Sequence, residues 1–73
     1  MKFGVVLFHT TSSAIRAEKE ATRSGLSCQM VPTPRQFSSD CGFALKFDWS
    51  DESQVKTLLA SKQIGIAGLH RLE

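Results

Sequence analysis

The sequence predicts one α+β domain whose elements follow one another as β-α-β-β-α-β. Three observations carry this reading. The chain has 73 residues, 41% of them apolar, which is enough for one core and one domain spanning residues 1–73. Its apolar residues alternate in some segments and recur at helical spacing in others. Cap or turn residues bound each periodic segment, and no repeat, linker or low-complexity stretch interrupts the series.

Residues 3–8 form a continuous apolar run, as expected for a central strand buried on both faces. Residues 10–13, T-T-S-S, then supply several candidate N-cap hydroxyls. Ala14, Ala17 and Ala21 recur at helical spacing with Ile15 beside them, while Arg16, Glu18, Lys19, Glu20 and Arg23 point mostly outward. Gly25 followed by Leu26 reads as a C-terminal cap with its hydrophobic contact, so the first helix covers roughly residues 12–24. Leu26, Cys28 and Met30 alternate with Ser27 and Gln29, the pattern of a half-buried second strand. Phe43, Leu45 and Phe47 alternate with Ala44 and Lys46, the clearest strand pattern in the chain. Ser50, Asp51 and Glu52 open a second helix, since acidic side chains favour the first turn. Val55, Leu58 and Leu59 form its buried stripe. Residues 64–72 read as a last strand, loosened by Gly65 and Gly68.

The economical packing of this order is the ferredoxin-like split β-α-β arrangement: a four-stranded antiparallel sheet with both helices on one face. Right-handed crossovers then put the first and third strands in the centre. The first strand ends where the third begins, so one edge of the sheet collects His9, the first helix start and the loop before the third strand.

That loop, residues 32–42, reads P-T-P-R-Q-F-S-S-D-C-G and is the segment expected to carry chemistry. Its prolines cannot donate to a sheet ladder, so they end one strand and stiffen the chain beyond it. Cys41 then stands at a strand entrance among polar neighbours, near backbone N–H groups and the positive end of a helix dipole. Such surroundings stabilise a thiolate, the form that attacks. Arg35 adds positive charge if the loop folds back, and Asp40 acts against it. Gly42, Thr10, Thr11, Ser38 and Ser39 complete the expected supporting set, with His9 a candidate to orient or deprotonate Cys41. Arg35, the helix start and the backbone at Cys41 and Gly42 would together favour an anion. Cys28 reads differently: with Leu26 and Met30 it faces the core, near the far end of its strand and too distant for a disulfide with Cys41. His70, late in the last strand, reads as solvated and apart from Cys41 and His9.

Several classes are disfavoured. A net charge of +2 without a Lys/Arg run offers no nucleic-acid stripe. Two separated cysteines and two separated histidines do not supply a metal site, and no cofactor motif is present. No apolar stretch is long enough to span a bilayer. The start of the chain does not read as a signal peptide, so reduced thiols in a cytoplasm are expected.

At these residues the chain resembles a group of small bacterial selenium or sulfur carrier-like proteins. The shared pieces are F-H-T-T, A-I-R-A-E-K, V-P-T-P-R and S-S-D-C-G-F-A-L-K-F. The likeness covers nearly the whole chain, more weakly after Ser50. It implies a cysteine that holds sulfur or selenium as a persulfide or its selenium analogue, and Cys41 matches the motif cysteine. It also implies donor and acceptor proteins as partners, a cysteine desulfurase-type donor among them. An accessory carrier rather than a stand-alone enzyme is the expectation. Open sheet edges are compatible with a homodimer. The competing reading is a non-catalytic ferredoxin-like module that binds a partner protein or an anionic ligand through the 32–42 loop, with Cys41 structural. An exposed, low-pKa Cys41 separates the two.

Overall fold

A computed structural model describes residues 2–37 and 42–72 of the chain. Strand β1 (Phe3–Leu7) leads into helix α1 (Thr11–Arg23). Strands β2 (Cys28–Pro32) and β3 (Phe43–Asp48) come next, then a 3-10 turn over Trp49–Asp51, helix α2 (Glu52–Ser61) and strand β4 (Gly68–Leu72). The strands form one antiparallel sheet in the order β2-β3-β1-β4. This is the expected ferredoxin-like α+β architecture, with β1 and β3 central.

The helices cover one face. Val6 and Phe8 point to that side, with Leu45 and Phe47 from β3 and Ala14, Ala17 and Ala21 from α1. The alanines are buried to within 1% of full exclusion, so α1 lies close against the sheet. Val55, Leu59 and Ile64 close the same core from the other side. Gly4 lets two rings settle on β1: a Cβ there would stand 2.6 Å from Trp49 Cε3 and 2.7 Å from Phe47 Cζ.

Helix ends account for most boundary differences from the sequence reading. Thr10 caps α1, its Oγ1 accepting from the Ser13 N–H at 3.1 Å. At the other end Leu26 N–H donates to Ala21 C=O and Gly25 N–H to Thr22 C=O, with Gly25 at φ 83°. This pair of bonds is a Schellman closure. It occupies Leu26, so β2 begins at Cys28 instead of Leu26. Pro32 then closes β2 inside the ladder, opposite Phe43, which an edge strand tolerates because one side needs no donor.

A 3-10 turn takes the place expected for the start of the second helix at Ser50, and α2 itself begins at Glu52. Asp48 Oδ1 accepts from both the Ser50 N–H (3.0 Å) and the Ser50 hydroxyl (2.8 Å), so the cap of this turn is the last residue of β3. These bonds hold the Asp48 carboxyl below its ordinary pKa, the backbone N–H first and the hydroxyl second. A second Schellman closure ends α2, with Ile64 N–H donating to Leu59 C=O and Gln63 N–H to Ala60 C=O. Gln63 takes the left-handed position at φ 56°. The closure turns Ile64 into the core, so β4 begins at Gly68 and not at Ile64.

Candidate functional site

The pairing of β1 with β3 builds the edge that matters. Leu7 lies opposite Ala44. His9 is two residues past Leu7, and Gly42 is two residues before Ala44. The ladder between β2 and β3 also runs one step beyond Pro32, because Thr33 N–H donates to Gly42 C=O at 3.0 Å. Gly42 is exposed but held by backbone. Helix α1 begins at this same edge, since only Phe8, His9 and Thr10 separate it from β1. The sequence therefore brings His9, Thr10, Thr11 and Gly42 to one end of the sheet, as expected.

Local bonds already engage part of this set. The Thr10 hydroxyl, besides capping, donates to Ser13 Oγ at 3.0 Å. Thr11 opens the helix and His9 is exposed. Phe43, next to Gly42, is 45% exposed and gives the edge an apolar rim.

The loop after β2 goes to the other face of the sheet. Val5 and Leu7 alternate with Val6 and Phe8, so they point away from the helices. They are nevertheless buried, with Ala44 beside them, and Phe37 from the loop packs on this second cluster together with Val31 and Leu72. A turn sets Phe37 in place: its N–H donates to Pro34 C=O at 3.0 Å. Arg35 lies in that turn and is exposed. The Phe37 ring stacks on the imidazole of His70, centroids 4.3 Å apart and planes 13° apart. His70 is opposite Val5 on β4 and so faces the same side. It is an exposed strand residue, as expected, and its ring is also the stacking partner of Phe37.

Cys41, Ser38 and Ser39, with Asp40, lie outside the described residues. Cys28 sits where the sequence put it, half-buried on the helix face and paired with Phe47 at the end of β2 far from Gly42. Burial pushes its thiol pKa up, and the negative charges of Asp51 and Glu18 push it further. Among the described residues no cluster of three or more His, Cys, Asp or Glu could hold a metal ion. No described helix is long and apolar enough to cross a membrane. A cavity of about 500 Å³ lies between the end of α1 and α2, lined by Ser24, Leu26, Gln54 and Leu58 among others. It opens at the end of α1 and the start of α2, the edge opposite Gly42, and belongs to the helix layer.

Sequence reasoning missed Phe37. The signal was present: one large aromatic in an otherwise polar loop needs an apolar surface to cover. The continuous run of β1, with apolar side chains on both faces, was the surface waiting for it.

No curated protein and no solved structure matches the chain. The model of one protein family does, over residues 3–71. Its match runs from the start of β1 to Arg71 in β4, and so takes in both helices and the 32–42 loop. The chain therefore belongs to the family described as "Putative Se/S carrier protein-like".

Proposed function

We propose that the protein takes sulfur or selenium from a donor protein onto Cys41, holds it there and passes it to an acceptor protein. The observation that carries this reading is the family match over residues 3–71. The chemistry of the other thiol supports it. Cys28 is half-buried and its pKa is raised, so it offers little thiolate at neutral pH. Cys41 follows a polar loop and precedes exposed Gly42.

The transfer is an exchange and needs no outside oxidant. The Cys41 thiolate attacks the terminal sulfur of a donor persulfide. The donor S–S bond breaks, the donor cysteine leaves as thiolate, and a new S–S bond forms on Cys41. Selenium moves in the same way as the terminal atom of a selenenylsulfide. Release reverses the roles: an acceptor nucleophile attacks the terminal atom and Cys41 leaves as thiolate. Negative charge stays on the terminal atom between the two steps. Backbone N–H groups at the start of α1, the hydroxyls of Thr11, Ser38 and Ser39, and the Arg35 guanidinium are the groups that would steady it. His9 would take the Cys41 proton before attack. A cytoplasmic setting, with its reduced thiols, suits this chemistry.

Intact mass after incubation with a cysteine desulfurase and free cysteine tests the reading. The unmodified protein and Cys28→Ser gain the mass of one sulfur atom, and a thiol reductant removes it. Cys41→Ser gains nothing. If the unmodified protein takes up neither sulfur from a persulfide donor nor selenium from a selenenylsulfide donor, the carrier reading fails. The domain is then better described as a binding module for a partner protein or an anion.

A further inference from the structure

We propose that residues 33–37 form a strap that opens and closes over the helix-free face of the sheet as a unit of its own, latched by the stack of Phe37 on His70. Such a strap works whether or not the protein carries sulfur or selenium.

The two faces of the sheet are closed in different ways. On one, α1 and α2 bury Val6, Phe8, Leu45 and Phe47. The helices are clipped together there, the Arg16 guanidinium donating to Lys62 C=O at 3.0 Å. On the other face Val5, Leu7 and Ala44 are at most 2% exposed, although neither helix lies over them. Among the described residues Phe37 is the hydrophobic side chain from outside the sheet that packs on these three. One ring does on this face what two helices do on the opposite one.

The ring reaches its place by a crossing. The loop leaves the sheet from β2 at one edge, while His70 belongs to β4 at the other. The segment therefore spans roughly ten ångströms or more at the usual strand spacing. Its backbone bonds do not fasten it to the face below. Phe37 N–H donates to Pro34 C=O, inside the segment, so that bond travels with the strap. Thr33 N–H donates to Gly42 C=O and prolongs the β2–β3 ladder, which makes it a hinge at the edge. Arg35 and Gln36 are exposed between these two points.

Among the described residues, ring burial and the stack are what hold Phe37 down, with centroids 4.3 Å apart and planes 13° apart. Gly68 shapes the latch on β4: a Cβ there would stand 3.1 Å from His70 Nε2 and 3.9 Å from Leu7 Cδ1. The imidazole thus lies along the sheet toward Leu7, flat enough to receive Phe37. Releasing one ring costs far less than unfolding the domain, so the strap opens as a local unit. The open form keeps β1 paired with β3 and β4 and presents Val5, Leu7 and Ala44 as apolar surface.

The test places one thiol under the strap. In a full-length Cys28→Ser, Cys41→Ser background, Ala44→Cys puts it beneath Phe37, and Ala17→Cys puts a control thiol under α1. Alkylation by iodoacetamide is followed against urea below the unfolding transition. Labelling at position 44 should hardly respond to urea, since a local opening uncovers little surface. Labelling at position 17 should follow the slope of global unfolding read from Trp49 fluorescence. His70→Ala should speed labelling at position 44 by about two- to twelvefold beyond any change at position 17, whereas His70→Phe, which keeps a ring pair, should not. Leu7→Cys reports from the same face if Ala44→Cys fails to fold. Labelling at position 44 along the slope of global unfolding overturns the proposal, because the face then opens only with the whole domain. Labelling as fast as that of a free thiol overturns it too, because the face is then uncovered. So does a folded His70→Ala whose effect is nil, or is the same at both positions.

Discussion

Gly4→Ala is expected to destabilise the domain by about 2 kcal/mol. A methyl on Gly4 would meet Trp49 Cε3 at 2.6 Å, Phe47 Cζ at 2.7 Å and Trp49 Cζ3 at 2.9 Å. Both rings belong to the helix-side core, and Phe47 is 1% exposed. They stack on each other with centroids 5.9 Å apart, so moving one disturbs the other. Trp49 is held further by its N–H, which donates to Lys2 C=O at 3.0 Å. Overpacking of this kind costs about 1–3 kcal/mol, and rigid rings with little freedom put the cost in the upper half. Alanine restricts the unfolded chain more than glycine and returns about 0.4–1 kcal/mol. A domain of this length has a total stability of about 4–11 kcal/mol, so the net loss is a large share of it. Trp49 is the only tryptophan, which makes its fluorescence in a urea titration a direct assay. With a slope near 1 kcal/mol per molar, the midpoint should fall by about 2 M. The native emission should also shift, because the indole must move. An unchanged or higher midpoint with native-like emission would refute the close-approach argument for Gly4.

Gln63→Gly should raise stability by about 1 kcal/mol, since Gln63 closes α2 at φ 56° where a side chain is strained; calorimetry checks this, and a lower melting temperature would contradict it. Asp48 has a folded pKa below its unfolded value. Its contribution is therefore present above the ordinary carboxylate range, near pH 4, and is lost as pH falls through the depressed value. Asp48→Ala should lower the melting temperature at pH 7 and converge on the parent at the acid end of that window; a constant difference at all pH values would show that the caps on Ser50 do not carry the effect. Cys41 should be alkylated well before Cys28 in the folded protein, because Cys28 is half-buried with a raised pKa; peptide mapping after brief labelling decides it, and equal or reversed rates count against Cys41 as the reactive thiol.

Short-range physics determined much of this protein from sequence alone. Period-two alternation in residues 43–47 and the Ala14, Ala17, Ala21 stripe are set by the geometry of a single strand or helix, and they fix which face is apolar. Gly25 marked the first helix end because few other residues adopt its backbone angle freely. Given the element types in order, short connections and right-handed crossovers left little choice of topology, so the central pairing of β1 with β3 was legible too. With it came the gathering of His9, Thr10, Thr11 and Gly42 at one edge.

Two boundaries turned on short-range competition that the pattern did not rank: Asp48 capped a 3-10 turn where the helix start was expected at Ser50, and a glutamine, not a glycine, turned the chain after α2 and sent Ile64 into the core instead of the last strand. Tertiary structure alone decided what involves residues far apart in the chain, above all the course of the loop from Pro32 to Phe37. Nothing local links Phe37 with His70. Their contact exists because β1 exposes Val5 and Leu7 on the face without helices, and burying that surface outweighs leaving one aromatic loop residue in water. Hydrophobic burial has no direction of its own, so which side chain covers a given face is settled only when the whole sheet has formed.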